Sequence, residues 1–152
     1  MIQFTLNSGQ SVLIDVDDYE KVCKYTWTLQ VGNGGNCYAY NQKYGIKLHH
    51  LILQPKVGFV IDHINRNGLD NRRTNLRYAT VSQNKANGQR YKGGSSGGYK
   101  GVYQRGKKFR ASIRVNGTLT QLGTYESAIE AAVAYNQAAE QAFGEYAVLN
   151  VV

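Results

Sequence analysis

The chain is poor in proline and cysteine and has no long apolar run. Its 152 residues hold one Pro against 17 Gly, which argues against a Pro-rich disordered protein and allows one domain or two small ones. No stretch is apolar enough to span a bilayer, and polar residues interrupt the first segment, so neither a membrane span nor a secretion signal is predicted. A cytoplasmic site of action follows from these absences.

Only two cysteines are present, Cys23 and Cys37. They are too few for a disulfide scaffold, and their spacing fits no zinc pair. We expect both to be small buried hydrophobic residues. A disulfide between them is possible only if the strand that holds Cys37 lies beside the helix that holds Cys23.

Positive charge is unevenly distributed along the chain. Residues 115–152 carry four Glu and no Lys or Arg, and residues 1–55 carry four charges of each sign. Residues 56–114 carry 14 Lys and Arg against two Asp, a net +12 in a chain of formal net charge +8. This block lacks the sustained amphipathic period of a membrane-surface helix. A polyanion is therefore the predicted partner.

The first third of the chain predicts a small antiparallel sheet and one helix. Segments at 3–6, 11–14, 26–31, 37–41 and 46–53 predict strands between turns rich in Gly and Asn. Carboxylates within 15–18 suit a helix N-terminus, so one helix is predicted over 15–24, with Val22 and Cys23 on one side.

The central segment predicts strand, loop, strand and helix in that order. Segments 59–63 and 76–79 predict the two strands of a hairpin, and the loop between them is rich in Asn and Asp, which favour irregular backbone. Thr80 and Gln83 have the capping-box pattern, so a helix is predicted from Val81, with Asn84 and Asn87 on one face.

A Gly/Ser-rich stretch separates this segment from the last third. Residues 93–98 bury nothing and predict a flexible linker, with the domain boundary at about Gly94. Beyond it, 101–105, 107–115 and 118–125 predict three strands, of which the middle one alternates between apolar and cationic residues. Ser127 and Glu130 form a second capping box, which opens a helix that Gly144 ends.

The central segment also holds the residues for hydrolysing a phosphodiester. One divalent metal ion, Mg²⁺ or Mn²⁺, can neutralise charge at phosphorus and assist the departing 3′ oxygen. Asp62 is a hard oxygen ligand, and Asn84 can add an amide oxygen. His63 points to the other side of its strand and, as a neutral imidazole, can accept a proton from water. The amide of Asn75 can bridge backbone groups of the loop and fix how His63 is presented.

Three motifs at fixed spacings carry a family resemblance. They are Val60-Ile-Asp-His63, Leu69-Asp-Asn-Arg-Arg-Thr-Asn-Leu-Arg77 and Ser82-Gln-Asn84. Together they resemble the HNH nucleases, especially the phage and intron-encoded homing type. The resemblance implies that His63 is the general base, Asn75 the loop organiser, and Asp62 and Asn84 the metal ligands. The family often has His at the position of Asn84, so the preferred metal stays open.

A histidine pair precedes these motifs. The segment Lys47-Leu-His-His-Leu-Ile52 is similar to a Leu-His-Arg-Leu segment of the family, with His49 at the matching position. We expect a packing or phosphate-side role for His49, and no catalytic role is assigned to His49 or His50.

The last third resembles a different family, the Apetala/ethylene-response-factor type of DNA-binding domain. The resemblance lies in Tyr99-Lys-Gly-Val102, Leu122-Gly-Thr-Tyr125, Glu130-Ala-Ala-Val-Ala-Tyr135 and Phe143-Gly-Glu-Tyr-Ala-Val-Leu-Asn150. It implies a sheet that reads the major groove, with base-facing residues at Tyr103, Arg105, Arg110, Ser112, Arg114 and Gln121. Phosphate contacts are expected at Lys100, Lys107, Lys108, Arg66, Arg72, Arg73 and Arg77.

These observations predict an α+β chain of two domains. Residues 1–92 form an HNH nuclease domain, a small antiparallel sheet plus a ββα-metal core at about 58–90. Residues 93–98 link it to a DNA-binding domain at 99–152, a three-stranded antiparallel sheet packed on one helix. The predicted protein is a monomeric, metal-dependent homing endonuclease that acts on double-stranded DNA, with no membrane partner and no small-molecule organic cofactor. It acts in the cytoplasm of a bacterial host if a phage encodes it.

Two other functions remain open. One is a DNA-binding regulator whose nuclease fold has lost activity, and the other is a zinc-stabilised interaction protein. The target site, nicking against double-strand cleavage, and oligomeric state are not set by the sequence.

Overall fold

The structure is a computed structural model that describes residues 1–32, 35–88 and 98–152. It divides into two compact units, Met1–Ala79 and Thr80–Val152. The fold is a mixture of α and β structure with several small antiparallel sheets and, over the described residues, four α-helices. Residues 93–97 of the predicted linker lie outside the described part, so the linker stays a prediction.

The first unit begins with a hairpin and a short helical segment. Strands β1 (Ile2–Thr5) and β2 (Ser11–Ile14) pair antiparallel, and β2 buries Val12 and Ile14 completely. A 3₁₀ turn over Val16–Asp18 leads into α1 (Tyr19–Val22), so the predicted helix is present but short.

A second sheet follows, and here two predictions were wrong. Strands β3 (Thr28–Val31), β4 (Cys37–Asn41) and β5 (Ile46–Lys47) form a sheet separate from β1 and β2, where one sheet was predicted. The predicted strand 46–53 ends at Lys47, and helix α2 (Leu48–Ile52) takes its place. Leu48 and Ile52 lie four residues apart, so one helical face buries both, with 0% and 3% of their surface exposed.

The predicted hairpin of the central segment is confirmed. Strands β6 (Val60–His63) and β7 (Leu76–Ala79) pair antiparallel, and a 3₁₀ turn over Arg73–Asn75 precedes β7. The loop between them is tied to β2, because Leu13 donates its amide to Leu69 and its carbonyl accepts from Asn71, at 2.9 and 2.8 Å. This anchor makes the loop part of the packed unit.

The core of the first unit draws on every one of its sheets. Trp27 is 6% exposed and donates its Nε1 hydrogen to the carbonyl of Val22 at 3.0 Å. The buried apolar residues of this core are Leu6, Val12, Ile14, Val22, Trp27, Ala39, Leu48, Ile52, Ile61, Leu69 and Leu76. The β6–β7 hairpin is thereby packed on the same core as the N-terminal strands.

The second unit contains a sheet and its helix, as predicted for the last third. Strands β8 (Val102–Arg105), β9 (Lys108–Val115) and β10 (Thr118–Tyr125) form an antiparallel sheet in the order β10-β9-β8. Helix α4 (Ala128–Phe143) packs on the sheet, with a 3₁₀ turn over Gly144–Tyr146 after it. Both predicted capping boxes are formed, at Thr80 with Gln83 and at Ser127 with Glu130.

Helix α3 (Val81–Asn87) is part of the second unit. Ala86 belongs to a buried cluster with four residues of the second unit, Ile113, Tyr135, Ala139 and Phe143. The ammonium of Lys100 donates to the carbonyls of Ala86 and Gly88, and the amide of Val148 donates to that of Ala86 at 3.2 Å. The sequence analysis grouped α3 with residues 1–92, and that domain assignment stays a prediction.

The two cysteines differ from expectation. Both are free thiols, and Cys23 is exposed while Cys37 is half-buried on β4. The prediction of two buried residues was wrong: Val22, the last residue of α1, is buried in the core, and the adjacent Cys23 is exposed.

Among the described residues, no helix combines the length and apolar character needed to cross a bilayer.

Candidate active site

Asp62 and His63 are adjacent residues at the end of β6, and both are buried. Asp62 is 4% exposed and lies opposite Arg77 of β7, and His63 is 6% exposed and lies opposite Leu76. Successive residues of a strand point to opposite faces, so the Asp62 carboxylate and the His63 imidazole lie on opposite sides of the hairpin. One backbone segment therefore serves two separate polar environments.

The carboxylate of Asp62 forms an ion pair with Arg77. The Arg77 Nε lies 2.9 Å from Asp62 Oδ2, and the Arg77 side chain is 11% exposed. Arg77 was expected to contact phosphate, which stays a prediction, and in the structure its guanidinium binds a carboxylate of the same hairpin. Cross-strand register, which the motif alone does not reveal, decides this pairing.

His63 lies in a cluster of rings. The His49 ring is edge-on to it at a centroid distance of 4.9 Å, Tyr38 is 6.0 Å away, and His63 Nε2 is 3.2 Å from Asn71 Oδ1. Burial lowers the pKa of His63, partly opposed by the bond to Asn71 and the charge of Asp62. The imidazole is therefore neutral at pH 7, as a general base requires.

The neighbouring histidines share this neutral state. His49 is 4% exposed, and burial, followed by the proximity of His63 and His50, lowers its pKa to about 2. His50 packs edge-on against His49 at 4.5 Å, and burial lowers its pKa as well. His49 is thus a packing residue against His63, one of the two roles expected for it.

Asn75 ties the loop of the hairpin together. Its Oδ1 accepts from the backbone N–H of Asn65 at 3.0 Å. Its Nδ2 donates to the Asp70 carbonyl at 2.7 Å and to the side-chain Oδ1 of Asn65 at 3.0 Å. Its own carbonyl accepts from the amide of Ile64, the residue after His63, at 2.9 Å. These bonds span the loop from the end of β6 to the 3₁₀ turn before β7.

Two further arginines of this region pair with buried carboxylates. Arg72 binds Asp70 through two nitrogens, at 2.8 and 2.6 Å, and this bonding lowers the pKa of Asp70. Arg73 binds Asp18 in the same two-pronged way, at 2.9 and 2.7 Å. Both were expected to be phosphate contacts, and that role stays a prediction beside the ion pairs that the structure shows. Arg66 is exposed and has a left-handed backbone, with φ of 66°.

Asn84 is exposed on α3 and is described with the second unit. Its backbone N–H donates to the Thr80 carbonyl in the first turn of that helix. Its role as a metal ligand stays a prediction from the sequence.

The residues fit a lightly coordinated hard cation. Across residues 1–32, 35–88 and 98–152, no three His, Cys, Asp or Glu side chains are grouped so as to hold a metal ion. Mg²⁺ needs no such cage, because it is usually held by one or two protein oxygens together with water and substrate phosphate. Asp62 provides one carboxylate of that kind.

The sequence analysis did not identify two neighbours of His63. Asn71 is 0% exposed and Tyr38 lies on β4, and neither was assigned a role around the imidazole. A signal existed for Asn71, which lies in the same Asn-rich loop as Asn75. No local signal existed for Tyr38, because its contact with His63 joins distant parts of the chain.

In the second unit, register places the predicted base-facing residues on one side of the sheet. Tyr103 lies opposite Arg110, and Ser112 lies opposite Gln121. This side also carries Arg105, Lys108, Arg114, Leu119 and Thr124. Ser112 is only 8% exposed, so the larger side chains beside it form the accessible surface.

The predicted phosphate contacts of this unit are in different environments. Lys107 is exposed in the turn between β8 and β9, and Lys108 pairs with Glu126 at 2.7 Å, which raises the pKa of Lys108. Lys100 donates to two carbonyls at the end of α3. Lys100 therefore has structural contacts within the second unit, and its contact with phosphate stays a prediction.

Comparison with known proteins agrees with this site. The HNH endonuclease family model matches residues 47–86, which span α2, the β6–β7 hairpin and most of α3. The chain is 32% identical to an uncharacterized HNH endonuclease of Acanthamoeba polyphaga mimivirus. The match covers all of this chain and 82% of the viral protein. No solved structure matches the chain. The extent of the viral match shows that this chain belongs to the HNH endonuclease family.

Proposed function

We propose that the protein is a metal-dependent endonuclease that hydrolyses phosphodiester bonds of double-stranded DNA, with His63 as the general base. The observation that carries the proposal is the buried pair at the end of β6, a carboxylate and a neutral imidazole on adjacent residues. One residue supplies a hard oxygen and the next accepts a proton, which are the two functions that this hydrolysis requires of side chains.

Asp62 and Asn84 would hold one divalent ion, Mg²⁺ or Mn²⁺. When bound, the ion neutralises charge on the phosphate and on the departing 3′ oxygen. Both side chains offer the oxygen ligands that hard cations prefer. For Asn84 the support is the sequence motif alone.

His63 takes the proton from the attacking water. Burial lowers its pKa, so the base is in its reactive, unprotonated form at physiological pH. Asn75 supports this role indirectly, because its bonds fix the loop that leaves β6 directly after His63. A general base of this kind contributes about 10² to 10⁴ in rate.

The C-terminal sheet targets the nuclease to its site, as in the homing type. Its outer face presents Tyr103, Arg105, Arg110 and Arg114, a cationic surface with one aromatic ring. Such a face suits the phosphate backbone and base edges of a major groove. We propose that the protein works as a monomer without an organic cofactor.

The test is cleavage of supercoiled plasmid with Mg²⁺ or Mn²⁺. We expect His63→Gln to lower the rate at least 10²-fold without weakening DNA binding. His50→Gln is the matched control, because it removes a neighbouring histidine of the same cluster, and it is expected to cleave normally. If the wild type cuts no DNA under any divalent ion, the chain is a DNA-binding regulator on a nuclease fold and the proposal fails.

A further inference from the structure

The amide side chain of Asn71 is completely buried beside the proposed base. It is 0% exposed, with Nδ2 3.4 Å from the Gly68 carbonyl oxygen and Oδ1 3.2 Å from His63 Nε2. Its backbone amide donates to the Leu13 carbonyl at 2.8 Å, which fixes the residue to β2. The amide thus bridges a loop carbonyl and the imidazole.

The Gly68 carbonyl determines which way the amide faces. A carbonyl oxygen only accepts, so the amide nitrogen of Asn71 must be directed at it. The reversed amide would place Asn71 Oδ1 against the Gly68 oxygen, two acceptors with no hydrogen between them. Oδ1 therefore faces His63, and a side-chain oxygen on that side demands a hydrogen on His63 Nε2.

Gly68 cannot move away from this position easily. A Cβ at residue 68 would lie 2.4 Å from the Cys37 carbonyl oxygen and 2.6 Å from Tyr38 Cδ1, so the loop backbone lies directly on β4. The Leu13 amide holds the adjacent Leu69 carbonyl at 2.9 Å. The acceptor that orients Asn71 is thus held from both sides by strands of the first unit.

We propose that Asn71 is a positioning residue that fixes the tautomer of His63, with the proton on Nε2 and the lone pair on Nδ1. The catalytic meaning rests on the proposed function: Nδ1 is then the atom that takes the proton of the attacking water. The water oxygen bonds to phosphorus, the bond from phosphorus to the 3′ oxygen breaks, and its electron pair stays on that oxygen. The imidazolium that forms still donates its Nε2 hydrogen to Asn71 Oδ1, and the partial negative charge of that oxygen stabilises the cation.

The tautomer is measurable without metal or DNA. In ¹⁵N-labelled full-length protein at pH 8, two-bond proton to nitrogen correlations distinguish a protonated from an unprotonated ring nitrogen. We expect wild-type His63 to be protonated on Nε2. Asn71→Leu removes the acceptor at similar volume and is expected to give a mixture of tautomers.

Activity adds a second readout. We expect Asn71→Leu to lower kcat about 10- to 100-fold with the KM for DNA unchanged. The matched control is Asn41→Ala. Asn41 is another buried amide of the same unit that bridges backbone groups, donating to Thr26 and accepting from Tyr44. Its loss is expected to lower stability but to leave the His63 tautomer and kcat unchanged.

Two results overturn the inference: wild-type His63 protonated on Nδ1, or an Nε2 proton that persists in Asn71→Leu. The first needs no variant, so it holds even if Asn71→Leu does not fold. If the tautomer depends on Asn71 but wild-type protein does not cleave DNA, the inference about the tautomer stands and the proposed function fails.

Discussion

Asp62 and Arg77 face each other across the β6–β7 hairpin, with Arg77 Nε 2.9 Å from Asp62 Oδ2 and both side chains largely buried. The carboxylate proposed to hold a divalent ion is thus already balanced by a guanidinium. A metal ion at Asp62 adds positive charge beside a cation, and the Coulomb repulsion between the two weakens metal binding.

Replacing Arg77 is therefore expected to have two opposite effects. Arg77→Met should lower the free energy of unfolding by about 3 kcal/mol without metal, because the buried Asp62 loses its cation. The same change should tighten Mn²⁺ binding by about tenfold, since ~1.4 kcal/mol of repulsion is removed. Isothermal titration calorimetry and urea unfolding measure the two quantities. Arg66→Met, the same change at an exposed position, is the control and should alter neither by much. Equal metal affinity in wild type and Arg77→Met would show that the ion does not bind at Asp62.

The neutral His49 predicts that the first unit is sensitive to acid. Its pKa is about 2 when folded and 6.5 in the ordinary state, so below pH 6.5 the unfolded chain binds a proton that the folded one does not. The contribution is fully present above pH 6.5 and is lost as the pH falls, at about 1.4 kcal/mol per pH unit. Fluorescence of Trp27, the one tryptophan of the chain, should report this in urea titrations at several pH values.

A variant isolates the contribution of His49. His49→Gln should flatten the dependence of unfolding free energy on pH between 4 and 6, whatever its effect on stability at pH 8. His50→Gln should flatten it less, because His50 is only half-buried. An unchanged slope in His49→Gln would mean that His49 is protonated in the folded protein.

Two glycines of the second unit allow the cost of backbone strain and the cost of steric overlap to be measured separately. Gly101 and Gly106 both have positive φ, 76° and 62°. A Cβ at Gly101 would lie 2.0 Å from Tyr135 Cδ2, whereas a Cβ at Gly106 would meet nothing within 4 Å. Gly106→Ala should cost about 1 kcal/mol, the strain of a left-handed residue, and Gly101→Ala at least about 3 kcal/mol, because α4 must move from the sheet. Calorimetric unfolding measures both, and equal losses would contradict the close approach of β8 and α4.

The sequence predicted best what neighbouring residues decide among themselves. The capping boxes at Thr80 and Ser127 need only a few adjacent residues, and both are formed. The Asp62-His63 pair was also recognisable, because strand alternation alone separates the two side chains. Local chemistry therefore located the ends of elements and indicated the candidate site.

What the sequence did not reveal depends on contacts between distant residues. Arg73 pairs with Asp18, which is 55 positions away, so the sequence indicated a phosphate contact for Arg73 and not this ion pair. The apolar residues of 46–53 suit a strand or a helix. The helix forms because it buries Leu48 and Ile52, four residues apart, in the same core. Asn71 contacts Gly68 and His63 at once, and this three-residue geometry is not visible in the sequence.

Lys100 and Arg105 give the sharpest test of which cations bind DNA. Both lie in the cationic block, but Lys100 donates to the Ala86 and Gly88 carbonyls, whereas Arg105 lies on the outer face of the sheet. Arg105→Met should reduce the slope of log affinity against log salt by about 0.9, the value for one phosphate, and leave stability unchanged. Lys100→Met should leave the slope unchanged and lower the free energy of unfolding of the second unit by about 2 kcal/mol, because a charged donor to two carbonyls is lost. Fluorescence anisotropy with labelled duplex DNA at several salt concentrations, together with calorimetry, measures both effects. The opposite outcome, a reduced slope in Lys100→Met with unchanged stability, would mean that this ammonium leaves α3 to contact phosphate when DNA binds.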